Sequence, residues 1–146
     1  MPLILEIVAT LCAGLFAGAS IYINAVEHPA RLECGTALAL REFAPSYRRA
    51  TVMQASLAVV GLLAAVGAWW QRGDTAVLVG GIFLGAVVPF TLLVVFPTNK
   101  QLLAPELNPE STEASNLLRR WGRLHAVRSV LSAVAFGILL FAMAGT

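Results

Sequence analysis

Charge is scarce in this chain. Only 12% of its 146 residues are Asp, Glu, Lys or Arg, about half the share in a soluble globular domain, roughly 25%. Hydrophobic residues make up 58% and the mean hydropathy is +0.79, so most of the surface cannot face water. The net charge of +2 is small and split between segments, which excludes a nucleic-acid partner. Cysteine is scarce as well. Cys12 lies in an apolar run and Cys34 in a polar loop, without the spacing of a disulfide framework or a paired redox or metal site. Cys12 reads as a small packing residue and Cys34 as an incidental thiol. No Lys or Arg precedes the apolar run that starts at Leu3, so the positive region of a cleavable signal peptide is missing. That run is expected to be a membrane helix that stays. Internal repeats and low-complexity tracts are absent, and the length allows one domain, residues 1–146.

What the chain does have is long apolar runs. A membrane helix needs about 20 predominantly apolar residues, and four stretches qualify: Leu3–Ile23, about Ala50–Trp70, Ala76–Phe96, and about Leu124–Ala144. Glu6 alone breaks the first, and lies near a surface where it is given no role. The second and third runs are joined by the short "QRGDT", as in a tight hairpin. The other connections, 24–49 and 97–123, are long. Arg31, Arg41, Arg48 and Arg49 fall in one of these, and Lys100, Arg119, Arg120 and Arg123 in the other; the hairpin holds only Arg72. Positive loops stay in the cytoplasm. The expected fold is therefore all-α: an antiparallel four-helix membrane bundle with both long connections cytoplasmic and both termini outside. It is placed in a cell (inner) membrane. Trp69 and Trp70 at one interface, and Tyr47 and Trp121 at the other, fit aromatic belts. "GLFAG" and "GIFLG" space Gly14 from Gly18, and Gly81 from Gly85, for close helix packing. That packing lies within the bundle or in a homodimer.

In this topology the unusual polar residues collect at the cytoplasmic end. Ser20, Asn24, Glu27, His28 and Arg31 follow an i, i+4, i+7, i+8, i+11 progression, which is one helix face. Trp121, His125, Arg128, Ser129 and Ser132 repeat it at the start of the fourth span. Pro29 should bend or end the first helix. Pro89 and Pro97 should distort the third and free carbonyls that need partners. The third span ends in Thr91, Thr98 and Asn99; the second contributes Tyr47, Arg48, Thr51 and Gln54. Polar stripes at one depth are costly against lipid, about 2.5–3.5 kcal/mol for a charge near a helix centre. They are expected to face each other around a pocket floored by Ser20, Ser132 and Thr91. Its rim would be Glu27, His28, Asn99, Trp121, His125 and Arg128. Glu27 is the expected ion-pair partner of Arg128, which otherwise clamps an anion or substrate oxygen. Arg119, Arg120 and Arg123 read as interface anchors. Ser111 or Thr112 can cap the fourth helix, with Glu113 in its first turn.

The segments "EHPAR", "FPTNKQLL" and "WGRLHAVRS" close the first and third spans and open the fourth. In this combination, over nearly the whole chain, the sequence resembles the small four-helix membrane proteins grouped with the anthrone oxygenases. The resemblance implies oxidation of anthrones to anthraquinones by molecular oxygen without an added cofactor. It carries over His28, Pro29, Pro97, Asn99, Trp121, His125 and Arg128 by motif. Such chemistry needs a base, and a histidine suits that task; His125 and His28 are equal candidates. Asn99 or Arg128 would stabilise the developing oxyanion. Trp121 and Phe90 would stack on a flat apolar substrate, with Asn24, Glu27 and Thr98 completing the binding site. Other readings compete. One is a binder of haem or copper through His28 and His125. Others are a quinone- or lipid-binding protein, and a small transporter or interaction subunit. The expected partners are membrane lipid and a small apolar or aromatic ligand.

Overall fold

A computed structural model describes residues 2–145. Among these the structure is entirely helical, with four helices long and apolar enough to cross a membrane: α1 (Leu3–Glu33), α2 (Thr36–Arg72), α3 (Thr75–Leu102) and α4 (Thr112–Ala144). The protein is a multi-pass membrane protein. In hydrocarbon, a spanning segment has to satisfy its backbone internally, which a helix does. Side chains such as Leu15, Leu63, Leu93 and Phe141 are more than half exposed and face the lipid.

The connections are much shorter than the polar segments of the sequence suggest. α2 begins at Thr36, far ahead of the apolar run, after a break at Cys34 and Gly35 where Gly35 takes φ 91°. α3 continues past the apolar run to Leu102, and α4 begins at Thr112. These helices extend beyond the hydrocarbon because polar segments rich in Ala, Leu, Arg and Glu form helices as readily in water. Gly73, at φ 74°, ends α2 by donating its N–H to the Trp69 carbonyl; this left-handed conformation suits glycine. Asp74 then caps α3 through Ala76 N–H at 2.9 Å. Ser111 caps α4, accepting from Ala114 N–H at 3.1 Å, with Glu113 in the first turn.

Each helix packs chiefly on its chain neighbours, and α4 closes the ring against α1. Glu6 meets Arg72, while Ser20 meets Gln54. Thr10 meets Met143, while Asn24 meets His125. One core cluster is rich in small residues, among them Ala9, Ala13, Ala58, Ala65 and Ala135, packed with Phe16, Leu84 and Leu139. A side-chain carbon on Gly85 would lie 2.8 Å from Leu62, and one on Gly14 3.0 Å from Phe136; one on Gly81 would strike Ala65. These glycines pack against the chain itself, whereas Gly18 faces open space.

Prolines leave a clear mark. α1 widens to a π turn over Ile23–Glu27, directly before His28 and Pro29, and then continues to Glu33. α3 does the same over Thr91–Val95, before Phe96 and Pro97, after an irregular step at Ala86 upstream of Pro89. In each case the last N–H before the proline reaches back five residues, from His28 to Ile23 and from Phe96 to Thr91. A proline has no N–H and its ring crowds the carbonyl four residues earlier. One wider turn accommodates both without ending the helix, so Pro29 does not terminate α1.

Candidate functional site

Asn24 lies in the first π turn, pointed at α4. Its amide N–H donates to the Gly122 carbonyl at 3.0 Å, which fixes the amide's orientation. Its Oδ1 therefore faces the other way, accepting from Ser129 Oγ–H at 2.6 Å and lying 2.7 Å from His125 Nδ1. An amide oxygen only accepts, so His125 carries its proton on Nδ1 and keeps the Nε2 lone pair free. A neutral imidazole in this tautomer is set up to take a proton. His125 is 1% exposed, yet lines a cavity of about 20 Å³ together with Trp121, Tyr47, Gln54 and Arg128. That is room for a water or a diatomic molecule, a water needing about 10–15 Å³ by this measure.

Arg128 is one helical turn deeper. Its guanidinium donates to Gln54 Oε1 at 2.7 Å and lies over the Phe16 ring, 5.5 Å from its centroid. Gln54, 1% exposed, donates in turn to Ser20 Oγ at 3.2 Å. The expected Glu27–Arg128 pair does not form. Glu27 faces α2, where it pairs with Arg31 one turn on and accepts from Ser46 Oγ–H at 2.9 Å. Arg31 also reaches Glu42 at 2.7 Å and sits 5.9 Å over the Trp121 ring. Glu27 is satisfied near the rim, and Arg128 lies too deep to compete for it.

Trp121 ties these groups together. Its indole packs on His28 and on His125, with centroids 5.1 and 4.8 Å away, and edge-on against Phe43 at 5.3 Å. His28 lies directly against the α4 backbone: a side-chain carbon on Gly122 would fall 2.6 Å from its Nε2. The Leu118 carbonyl is near the His28 ring, but neither ring nitrogen makes a well-formed hydrogen bond. Trp121 Nε1, Thr98 Oγ1 and Asn99 Oδ1 are likewise buried without partners.

The structure thus brings together Asn24, Trp121, His125 and Arg128, with Glu27 linked through Arg31. His28 joins them through Trp121 but does not line the cavity. Thr98 and Asn99 are buried in α3 and do not line it either, and Phe90 packs in the apolar cluster behind Trp121. The expected floor is rearranged. Ser20 holds Gln54, Ser132 turns back to the Arg128 and Ser129 carbonyls, and Thr91 bonds the Val87 carbonyl. Gln54 and Ser129 are more central than sequence reasoning makes them. A lone glutamine in an otherwise apolar stretch was the available signal. Haem or copper would have two imidazoles to use, one with Nδ1 engaged by Asn24 and both with an indole packed against them. Among the described residues no three His, Cys, Asp or Glu side chains gather as a metal site.

The chain is 29% identical over 138 residues to the anthrone oxygenase tpcL of Aspergillus fumigatus, an alignment covering 88% of this chain and 86% of the relative. No solved structure matches the chain. The family model for anthrone oxygenase matches residues 43–138, which include Gln54, Trp121, His125 and Arg128. The chain therefore belongs to the anthrone oxygenase family.

Proposed function

We propose that this protein is a membrane oxygenase that uses molecular oxygen to convert an activated methylene of an aromatic ketone, of the anthrone type, into a carbonyl. The observation that carries the reading is the His125–Asn24–Gly122 arrangement, which leaves one imidazole lone pair facing a small cavity. Family membership supplies the substrate class. His125 Nε2 takes a proton from the methylene carbon, leaving an electron-rich enolate. The enolate passes one electron to O₂; the two radicals combine in a C–O bond, and protonation gives a hydroperoxide. Removal of the second C–H proton as the O–O bond breaks leaves the C=O group and releases water. One oxygen atom enters the product and the other leaves as water, so oxygen alone balances the oxidation. Arg128, through its guanidinium, stabilises the enolate oxygen.

We propose no resident cofactor, because the substrate anion itself reduces oxygen. A stoichiometric haem or copper in the purified protein would overturn that part. The polar end of the bundle, carrying segments 24–49 and 97–123, is placed in the cytoplasm on the distribution of Arg and Lys.

Oxygen uptake and quinone absorbance with anthrone, in detergent-solubilised protein, test the reaction. A general base contributes about 10²–10⁴-fold, so His125→Ala is expected to lower turnover at least a hundredfold. His28→Ala, which alters a ring off the cavity, is expected to act more weakly. Equal turnover in wild type and His125→Ala would remove His125 from the chemistry.

A further inference from the structure

Besides the cavity at His125, the bundle holds a second chamber that shares its wall. It is a slot of about 100 Å³ between α2 and α3, lined by Phe16, Ala55, Ala58, Val88 and Leu92, with Thr51, Gln54 and Arg128 at one end. Those three end residues also line the His125 cavity. The pair joined by the 2.7 Å Arg128–Gln54 hydrogen bond is thus a partition between the two chambers. Ala55 and Thr51 are exposed and Leu92 is 60% exposed, so the slot opens sideways on the lipid-facing surface. Arg128 Nε is buried there without a hydrogen-bond partner.

We infer that this slot is the substrate's binding place, entered from the bilayer, and that Arg128 reads an oxygen at the leading edge of a flat aromatic ligand. The inference rests on the oxygenase reading for the ligand class, while the slot's own geometry argues for its shape and polarity. An apolar cavity on the order of 150 Å³ takes up benzene. A slot of about 100 Å³ with an open mouth takes part of a polycycle, its oxygen-bearing edge first, and leaves the remainder among lipid chains. Small side chains at Ala55 and Ala58 make the gap, and Phe16 gives it an aromatic wall. The inner end offers a guanidinium and a carboxamide, the groups that recognise a carbonyl, phenolic or enolate oxygen. Once the oxygen takes over Arg128, the Gln54 contact is released and the partition opens toward His125. The ring edge and the oxygen cavity are then continuous.

The test is saturable binding of two oxygen-stable probes, 1-hydroxyanthraquinone and anthracene, to the full-length protein in lipid nanodiscs. Ala55→Trp fills the slot from an exposed position, so the bundle has no reason to unfold, and it is expected to weaken both probes at least tenfold. Met53→Trp, which fills the separate groove between α1 and α2, is expected to leave both within twofold. Arg128→Met is expected to weaken 1-hydroxyanthraquinone tenfold and anthracene little. Undiminished binding of both probes by folded Ala55→Trp overturns the inference, as does loss of binding in Met53→Trp alone. The oxygenase reading fails separately. Slot-dependent binding without oxygen uptake on anthrone upholds the slot and removes the reaction. Uptake that Ala55→Trp leaves at the wild-type rate keeps the reaction and removes the slot.

Discussion

In the proposed reaction the base is selected by a residue that is not charged and does not titrate. Sequence alone leaves His28 and His125 equivalent, since both lie on polar faces at one end of the bundle. Asn24 separates them. It donates to a backbone carbonyl that cannot reverse roles, and so presents an acceptor to His125. The polar faces themselves are legible from the spacing of Asn24, His125 and Arg128. Partner choice is not, because it depends on depth: Arg128 is set beside Gln54, and Glu27 beside Arg31. Asn24→Leu is therefore expected to remove the tautomer preference while keeping the side chain's bulk. Ser129 and His125 Nδ1 would lose a buried acceptor, a cost of about 1–3 kcal/mol each way such groups are stranded. Turnover is expected to fall tenfold or more with KM nearly unchanged, since Asn24 touches the proposed base and does not line the proposed slot. A rise in KM at constant kcat would instead make Asn24 a substrate contact.

Asn24 owes its place to the helix that carries it. The four helices are legible in the sequence because apolar runs of membrane length have few alternatives, and the prolines forecast distortion at the ends of the first and third. The form of that distortion is not legible. A bend and a π turn start from the same missing N–H and the same crowded carbonyl, so the sequence does not choose between them. Here the π turn over Ile23–Glu27 adds about one residue to a turn, and one residue turns a helix face by roughly 100°. Ser20, before the turn, faces Gln54, while Asn24, within it, faces His125, and π turns are often found at functional sites. Pro29→Ala restores the donor and removes the ring clash. The expected outcome is a regular α1 that withdraws Asn24 from His125, with turnover reduced at least tenfold and thermal stability unchanged or raised. Full activity in Pro29→Ala would show that contacts with α4, and not the proline, hold the turn.

Across the whole molecule, polar groups are segregated to the two ends of the bundle, with a small-residue core between them. The end opposite the site is closed by Glu6, 1% exposed, whose carboxylate oxygens lie 3.1 and 3.2 Å from Arg72 Nη1. Sequence gives Glu6 no role because its partner is at the far end of another helix. The Arg72 side chain is 39% exposed and can turn to water if it loses Glu6, whereas Glu6 cannot follow. Removing one partner of a buried pair costs about 3–5 kcal/mol when the other charge is left stranded. Arg72→Ala is thus expected to lower thermal stability clearly more than Glu6→Gln, with turnover per folded molecule unchanged in both; the reverse order would mean that Glu6 has another partner. The cytoplasmic placement of the polar end is proposed from charge placement alone, and the chain carries its own reporter. Cys34 is exposed at the turn between α1 and α2, at the polar end, while Cys12 is buried in the core. A membrane-impermeant maleimide is expected to leave Cys34 unmodified in intact cells and to label it once the membrane is opened. Cys12 stays protected in both conditions, so the Cys34→Ser variant gives the background. Labelling of intact cells would turn the bundle over, and would place the His125 site on the outer face of the membrane with its slot still open to the lipid.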